Sequence, residues 1–459
     1  MRSSGILALL AVAALAGPAS GASAPSHWQL PVATKTLANG LTVVVSEDHS
    51  APTFGLCIAY RIGFRLEPRG RTGFAHLFEH MMFEGTPNAP KGVFDRVIEG
   101  GGGLNNGSTR YDYTNYIETA PVSALDAILW LEADRMKTLD FSEKNLKNQQ
   151  EVVKEEIRVN VKNRPYGLFF WTDVAGKAFD KWENAHDGYG SFEDLDAAKL
   201  ADVESFFNAF YGPNNAVLSI VGDVDPNEVF AKVEKYFGAL PKRATPAPPD
   251  VSEGMNTAER TLEQTDPLAK VPAVAVGWKM PARGSKDHVP MAVLADLLVG
   301  GEASRFFQGF VKGKEILLNI DGGLNWPLDD PWSFNGPTLF TVFGLYKPNT
   351  DAKSVVAAMD GEIRRVAAEG VPAAELERTK TKMVSDLYEN YELPLNRATA
   401  LCLAQLFTGN AASVNELPTQ IGAVTSDDLK RVAATYLVAN NRTVVDRKPA
   451  PPAPQPASK

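Results

Sequence analysis

The chain has 459 residues, 44% hydrophobic and 22% charged, which is enough for two or three domains with real cores and excludes a disordered tail protein or a disulfide-stapled miniprotein. The formal net charge is −9, and Lys and Arg are scattered rather than massed in stripes, which argues against nucleic acid as a partner. With six histidines (His27, His49, His76, His80, His186, His288) and two widely separated cysteines (Cys57, Cys402), any metal chemistry must use very few residues; the thiols read as buried and free.

Residues 1–24 have the three parts of a secretory signal: Arg2, an apolar run from Ile6 to Ala16, and small residues after Gly17-Pro18, giving cleavage near Ala22 or Ala24. The run is too short to span a bilayer. The expectation is an exported, periplasmic protein with no stable membrane anchor. Further on, Asn39-Gly40 between apolar residues predicts a hairpin leading into Thr42–Val45, and Phe54 to Arg61 predicts a strand. Helical patterns follow over 73–83, 122–136 and 143–161. Strands mixed with long helices imply an α+β fold.

At Leu240 the pattern gives way to a proline-rich linker, Pro241 to Asp250 and on to residue 252, and a second proline-rich stretch over 448–459 predicts a tail. The domains expected are therefore 25–240 and 253–447. The two sides of the linker resemble each other: Val203 to Asn215 can be laid on Leu429 to Asn441 at an offset of 226, and Met81 to Gly85 on Leu297 to Gly301 at an offset of 216. One domain used twice is the reading.

The segment His76-Leu77-Phe78-Glu79-His80 falls inside the first helical pattern. At 3.6 residues per turn His76 and His80 share a face, so both imidazoles can reach one ion, and Glu79 sits beside them as a candidate proton acceptor. A catalytic zinc needs a third protein ligand, and the carboxylate-rich stretch Gln149 to Ile157 offers candidates.

His-x-x-Glu-His followed by Val152-Val153-Lys154-Glu155-Glu156-Ile157 resembles the inverzincin peptidases related to pitrilysin, insulin-degrading enzyme and the mitochondrial processing peptidase. The resemblance covers nearly the whole mature chain. It implies two homologous α/β-sandwich domains, Zn2+ held by His76, His80 and Glu156 (Glu155 being the rival one residue away), and Glu79 as general base. It also makes Gly100 to Thr109 the glycine-rich turn and edge strand on which an extended peptide is laid, beside Asn106 and Gly107.

Under the offset of 216, His76, Glu79 and His80 fall on Ala292, Ala295 and Asp296, so only the first domain can hold the metal. Active relatives also use an Arg and a Tyr from a zinc-less domain. Near their expected place this chain has Lys312 and Leu318, which implies a homologous zinc-less partner subunit that supplies the pair. Gln149 stands where many relatives carry an acid. The function implied is a zinc metalloendopeptidase subunit of a heterodimer. The alternatives are a non-catalytic peptide-binding or assembly subunit, or a self-sufficient homodimeric peptidase.

Overall fold

A computed structural model describes residues 29–451; the signal segment lies outside them. Eleven strands form two sheets. The first contains β1 (Ala33–Thr36), β2 (Thr42–Glu47), β3 (Thr53–Tyr60), β4 (Leu104–Thr109), β5 (Thr114–Pro121) and β6 (Ala216–Gly222), in the order β1-β2-β6-β3-β5-β4. The second contains β7 (Arg260–Asp266), β8 (Ala273–Lys279), β9 (Leu317–Leu324), β10 (Leu339–Tyr346) and β11 (Arg442–Pro449), in the order β7-β11-β8-β10-β9. Without β1 the two orders are the same, and so are the strand directions: β2 with β6 and β7 with β11 are parallel, and every other pair is antiparallel. The α+β fold is therefore a duplication.

The repeat shows in side-chain roles as well. Asn215 donates from Nδ2 to the carbonyls of Phe210 and Arg61, and Asn441 donates from Nδ2 to those of Tyr436 and Lys279. Each amide ties the end of a helix to the strand beside it, at the offset of 226 read from the sequence. The connection over residues 241–259 has neither helix nor strand. It is strapped down by Asn184, which donates to the Val251 carbonyl at 2.9 Å, and by Glu253, which accepts from Lys279 Nζ at 2.6 Å. β11 extends through Pro449, whose partner is Asp266 on β7, so regular pairing reaches into the proline-rich end of the chain.

The helices that place the site are α1 (Phe74–Met81), α2 (Glu143–Ile157), α3 (Thr172–Ala178), α4 (Leu200–Phe210), α5 (His288–Val299), α6 (Ala373–Asn390), α7 (Pro394–Thr408) and α8 (Ser426–Tyr436). Ser142 caps α2 by accepting from the Asn145 amide, and Thr425 caps α8 in a reciprocal box with Asp428. One face of each sheet packs on helices of its own half, giving the two large apolar cores.

The other faces are covered by exchange. From the second half, α7 puts Ala398, Leu401 and Cys402 against Val44, Cys57, Ala59 and Val217 of the first sheet. From the first half, α3 puts Val174, Ala175 and Ala178 against Ala273, Ala275 and Val445 of the second. Two glycines on central strands permit these close approaches: a Cβ at Gly55 would lie 2.3 Å from the Leu395 amide nitrogen, and one at Gly277 would lie 2.6 Å from Val174 Cγ1. β3, β6 and β8 are consequently buried on both faces and read as continuous apolar runs rather than alternating ones. Cys57 and Cys402 are free and meet in this exchanged layer.

Candidate metal centre

Helix α1 is amphipathic around its motif. Phe74, Leu77 and Phe78 enter the core, where Phe78 packs on Phe206 and Phe207 of α4 and on Tyr211, leaving His76 and Glu79 toward a cleft and His80 beside His76. The helix starts at Gly73 with no capping side chain of its own. Its first amides are instead satisfied by Glu67, a fully buried carboxylate that accepts from Gly73 N at 3.0 Å and from Ala75 N at 2.8 Å. His186 Nε2 lies 3.0 Å from the same carboxylate, with its Nδ1 2.9 Å from the Trp182 carbonyl and its ring stacked on Trp182 at 4.0 Å. Burial pulls the His186 pKa down, but Glu67 outweighs it and the net shift is upward. Sequence reasoning missed Glu67 and His186, because nothing local marks a cap supplied from outside the helix.

The structure brings together the three side chains expected to bind metal. His76 Nε2 and His80 Nε2 are 3.3 Å apart, and Glu156 Oε2 on α2 lies 3.6 Å from the first and 3.4 Å from the second. They form the one group of three or more His, Cys, Asp or Glu side chains placed to share an ion among the described residues. A tetrahedral ion with bonds of about 2.0–2.1 Å separates its ligand atoms by about 3.3 Å, so the spacing fits zinc. The chemistry fits as well: two imidazole nitrogens and a carboxylate oxygen converging on one spot are a donor set of the kind a catalytic zinc takes. Burial would lower the His76 pKa, but Glu156 and Glu79 drive it up, while hydrogen bonds from His76 and His80 hold the Glu156 carboxyl far below the usual range. Glu155 turns away to pair with Arg158 at 2.9 Å and is no rival ligand. Gln149 is buried and donates to Glu84, away from the triad.

Glu79 is held beside the triad. Its Oε2 accepts from Thr109 Oγ1 at 2.6 Å, at the end of β4. The cleft here is about 200 Å³, lined by His76, Glu79, Gly107, Arg110, Glu156 and Tyr189 among others. β4 is the edge of its sheet, paired only with β5, and carries Asn106 on its exposed stretch and Gly107 facing the cleft. Arg110 and Tyr189 line the site without having been legible beforehand; one follows a strand and the other sits in a loop, and neither belongs to a spacing pattern. Beyond Ser108 and Arg110, which it shares with the cleft, a cavity of about 620 Å³ opens between the two halves.

The corresponding place in the second half holds an ion pair. Asp296 of α5 is where His80 maps. Counting from the first residues of α2 and α6, Glu143 and Ala373, Glu156 falls on Asp386. Lys382 Nζ lies between these carboxylates, 3.1 Å from Asp296 Oδ1 and 2.7 Å from Asp386 Oδ2. An ammonium thus bridges the two carboxylates at the mapped positions.

Duplicated halves, with the inverted His-x-x-Glu-His helix and a distant third carboxylate in one of them only, define a two-domain chain of the insulinase and pitrilysin architecture. Residues 42–168 match the family model "Insulinase (Peptidase family M16)", and residues 197–383 match "Peptidase M16 inactive domain". The chain belongs to the peptidase M16 family. It is 29% identical to "Zinc protease PqqE" of Helicobacter pylori over 94% of this chain and 96% of that one. A solved protease from Helicobacter pylori superposes with a TM-score of 0.84 at 27% identity, covering 92% of this chain and all of the other. The periplasmic protease PqqL of Escherichia coli shares the fold, with a TM-score of 0.72 at 17% identity; the match covers 92% of this chain and 48% of that one.

Proposed function

We propose that this chain is a zinc metalloendopeptidase subunit that hydrolyses peptides or unfolded polypeptides in the periplasm. The observation that carries this reading is the convergence of His76, His80 and Glu156 with Glu79 beside them, at an unpaired sheet edge. His76, His80 and Glu156 would hold zinc, which supplies Lewis-acid polarisation and makes a water acidic near neutral pH. Glu79, oriented by Thr109, takes a proton from the attacking water and delivers it to the leaving amine. The peptide lies extended along β4, bound through backbone hydrogen bonds beside Asn106 and Gly107, which favours broad specificity.

The reading includes a homologous zinc-less partner. Lys312 lies on the short helical segment Phe307–Gly313 with its ammonium over the Phe307 ring, and Leu318 is half exposed on β9. Neither lines the cleft, so an Arg and Tyr pair would come from the partner subunit. A non-catalytic role draws support from the inactive-domain match. That match, however, runs over residues 197–383, most of it in the half where Lys382 pairs with Asp296, while the triad lies outside it.

The test is Glu79→Gln, with zinc content and peptide cleavage measured on the same preparation. Retained zinc with cleavage reduced at least about 100-fold is the expected result. Full cleavage by the zinc-loaded variant would exclude Glu79 as the base, and a wild-type chain that takes up no zinc would favour the scaffold.

A further inference from the structure

Tyr189 lies in the tight loop that follows His186. Its amide donates to Asp187 Oδ1 at 2.9 Å, the next amide donates to the Asp187 carbonyl at 3.1 Å, and Ser191 N is anchored on Thr72 Oγ1 at 3.0 Å, beside the start of α1. The ring is fixed on two sides, edge-on to His76 at 5.4 Å and against Trp171 at 5.8 Å. Tyr189 therefore lines the cleft with His76, Glu79, Glu156 and Arg110.

Its hydroxyl has no hydrogen-bond partner among the described residues. Tyr111, packed against Trp171 behind the cleft lining, uses its hydroxyl to accept from Trp171 Nε1 at 2.9 Å. Phe64 and Trp171 already give the cleft apolar surface, so an aromatic wall alone does not require a phenol there. A rigidly held O–H donor beside the ligands, with no partner in the protein, is suited to an oxygen that the substrate brings.

We propose that the Tyr189 hydroxyl donates a hydrogen bond to the carbonyl oxygen of the scissile peptide bond as that oxygen gains negative charge. The inference rests on the zinc-peptidase reading and goes beyond it: this chain contributes an electrophilic donor of its own, and an Arg and Tyr pair from a partner adds to it. No proton leaves Tyr189; the bond strengthens toward the tetrahedral state and relaxes when the amine departs.

The experiment compares wild-type and Tyr189→Phe, which keeps the ring and its packing, in the purified zinc-loaded protein. Three quantities are read: zinc stoichiometry, affinity for a phosphinic peptide that mimics the tetrahedral state, and kcat and KM for a fluorogenic peptide. The expected result is unchanged zinc, phosphinic-peptide affinity lowered at least about 10-fold, and kcat lowered about 100-fold with little change in KM. Wild-type values of phosphinic-peptide affinity and kcat in the variant would overturn the role of Tyr189 and leave the peptidase reading intact. A wild-type protein that binds neither zinc nor the phosphinic peptide would overturn both.

Discussion

Replacing Glu67 by Gln tests how α1 is held in place. The carboxylate serves three donors, Gly73 N, Ala75 N and His186 Nε2. The amide keeps one acceptor oxygen and points an NH2 at a donor, leaving at least one buried group unsatisfied at about 1–3 kcal/mol. Losing the negative charge at the helix N-terminus adds up to about 1–2 kcal/mol. The expected destabilisation is about 2–4 kcal/mol, read by urea unfolding followed through tryptophan fluorescence. Because His76 lies within one turn of Gly73, zinc affinity measured against a chromophoric chelator should fall about 10–100-fold, as for a lost supporting contact to a ligand. The pH dependence has a definite sign. The His186 pKa is raised above its ordinary 6.5, so its contribution is fully present below about pH 6.5 and is lost as pH rises through the higher folded value. Wild-type stability should therefore decline on the alkaline side, and less so in the variant. A Glu67→Gln protein with wild-type stability and zinc affinity would refute the reasoning.

Three further outcomes follow from the geometry. Gly107→Ala places a Cβ 3.0 Å from Glu79 Cγ, 3.2 Å from its Oε1 and 3.2 Å from Phe83 Cε2; zinc content should persist while kcat falls about 10-fold, as for a displacement of a few tenths of an ångström. Leu401→Ala opens a cavity where α7 covers the first sheet, and calorimetry should show a loss of about 2–5 kcal/mol. Burial raises the Asp48 pKa, but hydrogen bonds from Ser50 and the charge of Arg397 outweigh it and hold the group at about 2. Its stabilisation, about 1 kcal/mol after solvent screening, is present above pH 4 and lost as pH falls toward 2. The stability gap between wild-type and Asp48→Asn should close over that range in acid titrations.

Much of the fold and site was legible because it is written in local periodicity. His76 and His80 are one turn apart on a helix whose apolar face is plain, and the hairpin over Asn39-Gly40 closes as its turn residues require. The repeat was legible because Asn215 and Asn441 perform the same local task. Glu67, His186 and Tyr189 were not legible, since each acts on α1 from a loop separated from it in sequence or packing, and no period links them. Lys382 could be interpreted only after the repeat placed Asp296 and Asp386 on either side of it.

By itself the sequence determined the duplication, the motif helix and the carboxylates from which a third ligand could come, because helix period and side-chain chemistry act over a few residues. Tertiary structure decided that Glu156 rather than Glu155 faces the two imidazoles, because the docking of α2 against α1 sets which face turns inward. It also decided that each half is completed by a helix from the other. That exchange joins residues from about a hundred to more than 300 positions apart through nonspecific apolar burial, and Leu401 against Val44 leaves no mark in either stretch of sequence.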